Sequence, residues 1–353
     1  MNFDLNKLIR RNISNLVPYS SARDEFSGTA AVFLDANESP FNEPYNRYPD
    51  PQQKVLKKKI SRLFFQPVEN IFLGNGSDEA IDLLFRVFCE PGEDNIVSIS
   101  PSYGMYEVCA NIHNVQVNKV LLEDDYSFRA EKMLNATDNK TKLAFLCSPN
   151  NPTGNLLDPS EMILLLQSFN GIVVVDEAYI DFAATKGMLP GLKDFPNLVV
   201  LRTFSKAWGL AGIRLGVAFA SEEIVKLLSK VKYPYNLNIL TQKFALEKLS
   251  DEGNKNMWVE EILSQRAKMT EKLQRMDMVE KVYPSDANFL LVKVKDPGRL
   301  YSYLKEKGVI IRDRSKVMKC EGSLRITIGS KIENKILLRE MEGFIANQKS
   351  SKE

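Results

Sequence analysis

Histidine is nearly absent: the chain of 353 residues contains one, His113. A zinc site would have to rest on thiolates and carboxylates, yet the four cysteines, Cys89, Cys109, Cys147 and Cys320, form no C-x-x-C pair. No catalytic metal is expected. A general base working near neutrality must then be His113, or a lysine or carboxylate whose pKa is moved by its surroundings. An excess of one charge is also lacking, since 47 Lys plus Arg against 45 Asp plus Glu leave +2; nothing supplies a basic face for nucleic acid. No apolar run approaches the ~18 residues of a membrane span, and MNFDLNKLIR lacks the basic flank and apolar core of a secretory signal. Scattered cysteines suit a reducing compartment, so the sequence reads as cytoplasmic and Asn12-Ile13-Ser14 as a chance sequon.

The 44% hydrophobic and 26% charged residues are those of an ordinary globular protein, long enough for two domains. From about residue 70 to 220, short apolar runs alternate with amphipathic stretches, which predicts βαβ units and a mostly parallel sheet flanked by helices. The strands are expected at Ile96 to Ser100, Val115 to Leu122, Leu143 to Cys147, Ile172 to Val175, Leu198 to Leu201 and Gly216 to Ala220. A helical stretch from Ile239 to Met276 follows, interrupted near Ser250 to Asn254. Strands at Asn288 to Val294, Val309 to Arg312 and Leu324 to Ile328, with helices at Pro297 to Lys307 and from Lys331 onward, predict a smaller α+β unit. The expected division is 1–41 as an N-terminal segment packing on the small domain or a partner subunit, 42–245 as the large domain, and 246–353 as the small one.

Four segments carry possible chemistry. In FLGNGSDEA (Phe72 to Ala80), Gly74 and Gly76 permit a tight turn, and backbone N–H groups at Ser77 and Asp78 could hold a phosphate at a helix start; alone, it also reads as an ordinary capped helix. Asn150-Asn151-Pro152-Thr153-Gly154 sets a turn with polar amides at a strand's carboxyl end, where ligands gather in parallel sheets, but it is also a common turn sequence. Asp176 stands where the run Gly171 to Val175 emerges, with Tyr179 three residues on. A buried carboxylate there needs a cation, a metal or a protonated ring nitrogen, although a helix cap fits the window equally. In LRTFSKAWGLAGIRLG, Lys206 follows a strand among small residues beside Phe204 and Trp208. Enclosure would lower a lysine pKa from about 10.4 toward neutrality and make it the missing base, while Arg214, Ser205 and Thr203 could share a phosphate.

TFSKAWGLAG resembles the pyridoxal-phosphate lysine signature of the fold-type I, class-II aminotransferases, and SPNNPTG, VVDEAY and GNGSDEA fall in that family's order and spacing. LVPYSSAR (Leu16 to Arg23), LDANESPFN (Leu34 to Asn42), NRYPDP (Asn46 to Pro51), PSYGMYEV (Pro101 to Val108) and LRITIG (Leu324 to Gly329) look like the marks of the branch that acts on histidinol phosphate. The resemblance implies a homodimer with pyridoxal 5'-phosphate, transferring the amino group between L-histidinol phosphate and 2-oxoglutarate to give imidazole acetol phosphate and L-glutamate.

By the same resemblance, Lys206 would hold the cofactor as a Schiff base and shuttle the substrate's α-proton. Asp176 would keep the pyridine nitrogen protonated, Tyr179 and Asn151 would bond the ring's phenolic oxygen, and Tyr103 would stack on the ring. Ser77, Asp78, Thr203, Ser205 and Arg214 would hold the phosphate, with Tyr48 reaching it from the other subunit. Arg325, assisted by Arg312 and Tyr19, would grip the substrate's anionic group, and Asn37 would line the entrance. Two relatives of the same fold compete with this reading: threonine-phosphate decarboxylase and aromatic amino acid aminotransferase. His113 and the cysteines have no place in the scheme and read as structural.

Overall fold

The computed structural model describes residues 3–19 and 32–350. Ser20 to Arg23 of the LVPYSSAR segment, and the remainder of 20–31, lie outside the described residues. A seven-stranded sheet has the order β1-β7-β6-β5-β4-β2-β3, formed by β1 (Ile71–Asn75), β2 (Asn95–Ser100), β3 (Gln116–Leu121), β4 (Thr141–Cys147), β5 (Ile172–Asp176), β6 (Leu198–Thr203) and β7 (Leu215–Phe219). Strands β3, β2, β4, β5 and β6 pair in parallel, while β7 is antiparallel to both β6 and β1.

Apart from the edge strand β3, this sheet is buried on both faces, which is why its strands read as apolar runs rather than as alternating ones. Along β5 the residues nonetheless sort by period two: Ile172 and Val174 join one core, Val173 and Val175 the other. The core with Val173 and Val175 includes α1 (Lys54–Phe64), α4 (Pro159–Ser168) and α6 (Ile239–Lys248); the core with Ile172 and Val174 includes α2 (Ser77–Phe88), α3 (Met105–Ile112) and α5 (Glu222–Val231).

A four-stranded antiparallel sheet, β10-β11-β9-β8, follows, built from β8 (Val279–Val282), β9 (Phe289–Val294), β10 (Arg312–Asp313) and β11 (Ser323–Thr327). Its apolar face packs with α7 (Glu252–Gln274), α8 (Pro297–Glu306) and α9 (Lys331–Ser350). The break expected near Ser250 is the start of α7, where the Asp251 carboxylate accepts the Asn254 N–H at 3.2 Å.

Two expectations need correction. The apolar run from Val309 is not a strand up to Arg312: Gly308 turns into the left-handed region at φ +76°, Val309 N–H donates back to Leu304 C=O, and β10 holds only Arg312–Asp313. Of the 1–41 segment, residues 3–13 pack on the larger unit and not on the smaller sheet. Leu8 and Ile13 join the core under α2, Arg10 N–H donates to Val87 C=O, and the Arg10 guanidinium pairs with Glu90 at 3.1 Å. An apolar pair flanking one cation matches the carboxyl end of α2, where Val87 and Phe88 are buried beside Glu90.

Candidate active site

Parallel strands end together, so Cys147 of β4, Asp176 of β5 and Thr203 of β6 come to one edge of the sheet. A cavity of about 210 Å³ opens there, lined by Gly76, Ser77, Asp78, Tyr103, Cys147, Asn151, Asp176, Ala178, Tyr179, Thr203, Ser205, Lys206, Ala211 and Arg214. Segments far apart in sequence therefore meet, as expected at the carboxyl edge of an open α/β sheet.

One end of the cavity is built for an anion. β1 runs through Gly76 (φ +72°) straight into α2, whose first turn carries Ser77 and Asp78. The opposing wall is Arg214, a non-glycine residue at φ +54° that ends the 3-10 turn Ala211–Ile213. Its carbonyl accepts the Gly76 N–H at 2.8 Å, and a Cβ added to Gly76 would lie 2.7 Å from Arg214 Nη2. Gly216 is tighter still, because an added Cβ would meet Ser77 N at 2.1 Å. Thr203 and Ser205 close this end, the Thr203 hydroxyl donating to Ser205 Oγ at 3.0 Å.

The other end holds a buried carboxylate. Asp176 is 2% exposed; its Oδ2 accepts from the Tyr106 hydroxyl at 2.8 Å and its Oδ1 from Ala178 N–H at 3.1 Å. Burial raises its pKa to about 6, against the pull of the Tyr106 hydrogen bond. Between the two ends stands Lys206, whose Nζ lies 5.6 Å from the Tyr179 ring centroid. Burial lowers its pKa and the Arg325 charge lowers it further, opposed by Asp176 and Asp78. Asn151 Nδ2 donates to the Tyr179 hydroxyl at 3.3 Å, and burial pushes that phenol up. Tyr103 donates to Asp78 Oδ1 at 3.1 Å, and Arg214 Nη2 reaches Asp78 Oδ2 at 3.4 Å.

Arg325 joins this centre from the smaller sheet. Its Nη1 donates to Asn151 Oδ1, its guanidinium lies 5.3 Å over the Phe289 ring, and its buried Nε has no partner. An unsatisfied buried guanidinium nitrogen marks a place for an acceptor. Arg312 stands directly opposite Arg325 in the ladder.

The residues 25–341 match the family model for aminotransferases of class I and II. The chain belongs to that aminotransferase family. The histidinol-phosphate aminotransferase of Parabacteroides distasonis is 56% identical over 97% of this chain and 99% of its own. The solved histidinol-phosphate aminotransferase of Clostridium acetobutylicum superposes with a TM-score of 0.79 at 25% identity, over 86% of this chain and 92% of its own. That of Sinorhizobium meliloti, in complex with pyridoxal-5'-phosphate, gives 0.76 at 24% identity over 86% and 88%. The mostly parallel sheet with flanking helices is thus the fold of fold-type I aminotransferases.

Within this aminotransferase, Ser77, Asp78, Tyr103, Asn151, Asp176, Tyr179, Thr203, Ser205, Lys206 and Arg214 share the cavity, as the motifs suggested. Five other expected residues do not line it in their own chain: Arg325, which reaches its edge through Asn151, Arg312 opposite Arg325, and Tyr48, Tyr19 and Asn37. Tyr48 stacks on Tyr235 at 4.4 Å and is 49% exposed. Tyr19 is exposed on the wall of a separate groove beside Lys57, and Asn37 is exposed at φ +56°. Two residues escaped the sequence reading. Cys147 lines the cavity, although the cysteines read as incidental, and Tyr106 touches Asp176. Tyr106 stands in the first turn of α3, three residues after Tyr103 in the PSYGMYEV motif, and the two rings meet edge to face at 5.6 Å. His113 lies outside the site, its Nε2 2.7 Å from Asp82 Oδ1 and its ring stacked on Phe85. Among the described residues no cluster of His, Cys, Asp or Glu could hold a metal, and no helix is long and apolar enough to cross a membrane.

Proposed function

We infer that this chain transfers the amino group between L-histidinol phosphate and 2-oxoglutarate, a step of histidine biosynthesis, with pyridoxal 5'-phosphate as cofactor. The observation that carries the reading is the meeting of Lys206, Asp176, Asn151, Tyr179, Ser205 and Arg214 around one cavity, in a chain 56% identical to a histidinol-phosphate aminotransferase.

The donor set fits that cofactor. Ser77 and Asp78 N–H groups, the Thr203 and Ser205 hydroxyls and Arg214 suit a phosphate. Asp176, at the opposite end and out of water, suits a protonated ring nitrogen. A nearby cation favours its ionised form, offsetting the burial that holds it at about 6. Asn151 and Tyr179 suit the phenolic oxygen, and Tyr103 a ring face. When bound, the cofactor supplies a carbonyl that accepts the amine and a cationic ring that withdraws electrons from the substrate's α-carbon.

The chain's own residues do the rest. Lys206 tethers the cofactor between turnovers and carries the α-proton; its lowered pKa leaves more of the amine as free base near neutrality. Asp176 fixes the ring's charge, and Tyr106 fixes Asp176. Arg325 and Arg312 orient the substrate through its anionic group, the phosphate of one substrate and a carboxylate of the other.

Residues 42–245 are read as the cofactor-binding domain and 246–353 as the smaller domain, in a cytoplasmic homodimer. Support for the dimer comes from Tyr48, half-exposed and outside the cavity of its own chain; it would reach the cofactor phosphate of the partner subunit, with Tyr19 and Asn37 at the substrate entrance. The test is incubation of the holoenzyme with histidinol phosphate and 2-oxoglutarate, with phenylalanine and threonine phosphate as competitors. Glutamate should form fastest from histidinol phosphate. Preferred turnover of phenylalanine, or carbon dioxide from threonine phosphate without glutamate, overturns the assignment.

A further inference from the structure

Strand β11 alternates its faces. Leu324 and Ile326 enter the core of the smaller unit, so Ser323 and Arg325 face the other way. Arg312 pairs opposite Arg325, and the ladder runs one step past β10, where Arg314 N–H donates to Ser323 C=O at 3.0 Å. Period two then puts Arg314 on the same face as Arg312 and Arg325. Among the described residues, neither Arg312 nor Arg314 forms a side-chain hydrogen bond or an ion pair; Asp313 acts on Arg314 only from a distance. Burial depresses the Arg314 guanidinium, and the charges of Arg325 and Arg312 depress it further, which records the mutual repulsion of three cations. Beside them, Arg325 Nε and Ser323 Oγ are buried without partners.

Arg314 also lines a groove of about 550 Å³ with Ser102, Tyr103, Pro152, Val317 and Met318. Tyr103 lines the cofactor cavity as well, so groove and cavity adjoin. Three guanidiniums on one face, none paired directly with a carboxylate, attract an anion of more than one charge.

We propose that Arg314 is a specificity-determining residue, completing with Arg312 and Arg325 a three-guanidinium face that holds the donor's phosphate and discriminates it from glutamate's carboxylate. The proposal rests on the substrate reading above. Substrate chemistry gives the reason for a third arginine. In histidinol phosphate the phosphorus is three bonds from the α-carbon, whereas in glutamate the α-carboxylate carbon is one bond away. Arg314, two residues and about 6.8 Å along the strand from Arg312, serves the longer arm.

The experiment compares single-turnover half-reactions of the holoenzyme with each amino donor, in the wild type, Arg314→Gln and Arg314→Lys, with thermal unfolding as a check on the fold. For Arg314→Gln, kcat/KM with histidinol phosphate should fall ten- to thirty-fold more than with glutamate. Arg314→Lys, which keeps the charge and loses the planar fork, should lie between. Inorganic phosphate should inhibit the glutamate half-reaction of the wild type, with an inhibition constant about ten-fold higher in Arg314→Gln. Equal losses with both donors, or unchanged phosphate inhibition, overturn the proposal. A wild type that ignores histidinol phosphate, yet shows the expected shift in phosphate inhibition, would remove the substrate reading and leave the anion site standing.

Discussion

The Tyr106 hydroxyl donates to Asp176 Oδ2 at 2.8 Å, joining a fully buried phenol on α3 to the carboxylate at the end of β5. A hydrogen bond to the ionised form lowers a carboxyl's pKa, so Tyr106 works against the burial that holds Asp176 near 6. Replacing Tyr106 by Phe removes that donor and leaves the burial. The pKa should rise, and the acid limb of kcat against pH should move to higher pH. Turnover at pH 7 should fall about ten-fold, with KM changed less; an acid limb that stays put would mean that Tyr106 only packs.

Asp176 carries a stability consequence in the cofactor-free protein. Its folded pKa of about 6 lies above the ordinary 3.8, so the folded state binds the extra proton between those values. Stability therefore falls as pH rises from about 4 to 6 and stays lower above that, by up to about 3 kcal/mol from a shift of this size. Asp176→Asn should flatten this dependence and raise the melting temperature of the cofactor-free form at pH 7.5. It should also cost at least about a hundred-fold in kcat, because the ring loses its counter-charge. Thermal melts across pH with and without cofactor check both parts.

Lys206→Ala should fold normally and lose the visible absorbance of the tethered cofactor. Turnover should drop by at least about a thousand-fold, the upper part of the range for removing a positioned acid–base group. Borohydride reduction of the wild type followed by peptide mapping should label Lys206; another labelled lysine would refute the assignment.

Arg325→Ala should weaken both amino donors, since each presents an anion to that guanidinium. Losing a charge-assisted pair at a half-buried site is worth roughly 1.5–3 kcal/mol, or about ten- to a hundred-fold in kcat/KM. Unchanged constants for either donor would exclude the shared role.

Gly216→Ala tests the phosphate end without touching a functional side chain. The added methyl would meet Ser77 N at 2.1 Å and the Gly76 carbonyl carbon at 2.2 Å, both backbone atoms. The α2 start must shift, so the variant should lose about 1–3 kcal/mol of stability and bind cofactor at least ten-fold more weakly, measured by equilibrium dialysis.

Much of this site is legible along the chain because its parts stand at strand ends. Asp176 closes an all-apolar strand, Lys206 follows β6 by three residues, and Gly74 and Gly76 mark the turn into α2. The smaller sheet was harder to read. Val279–Val282 is a four-residue strand without a sustained pattern, and the Val309 run serves the end of a helix as well as it would serve a strand.

The sequence by itself determined which chemistry is available: one histidine outside the motifs, a lysine among small residues, and an aspartate emerging from a buried strand. These are local facts, written in residue type and period. Only the tertiary structure decided that Tyr106 donates to Asp176, that Cys147 lines the cavity, that residues 3–13 join the core with α2, and that Arg312, Arg314 and Arg325 share one face. Each depends on which strands become neighbours and in what register, and shifting a register by one residue turns every side chain to the opposite face.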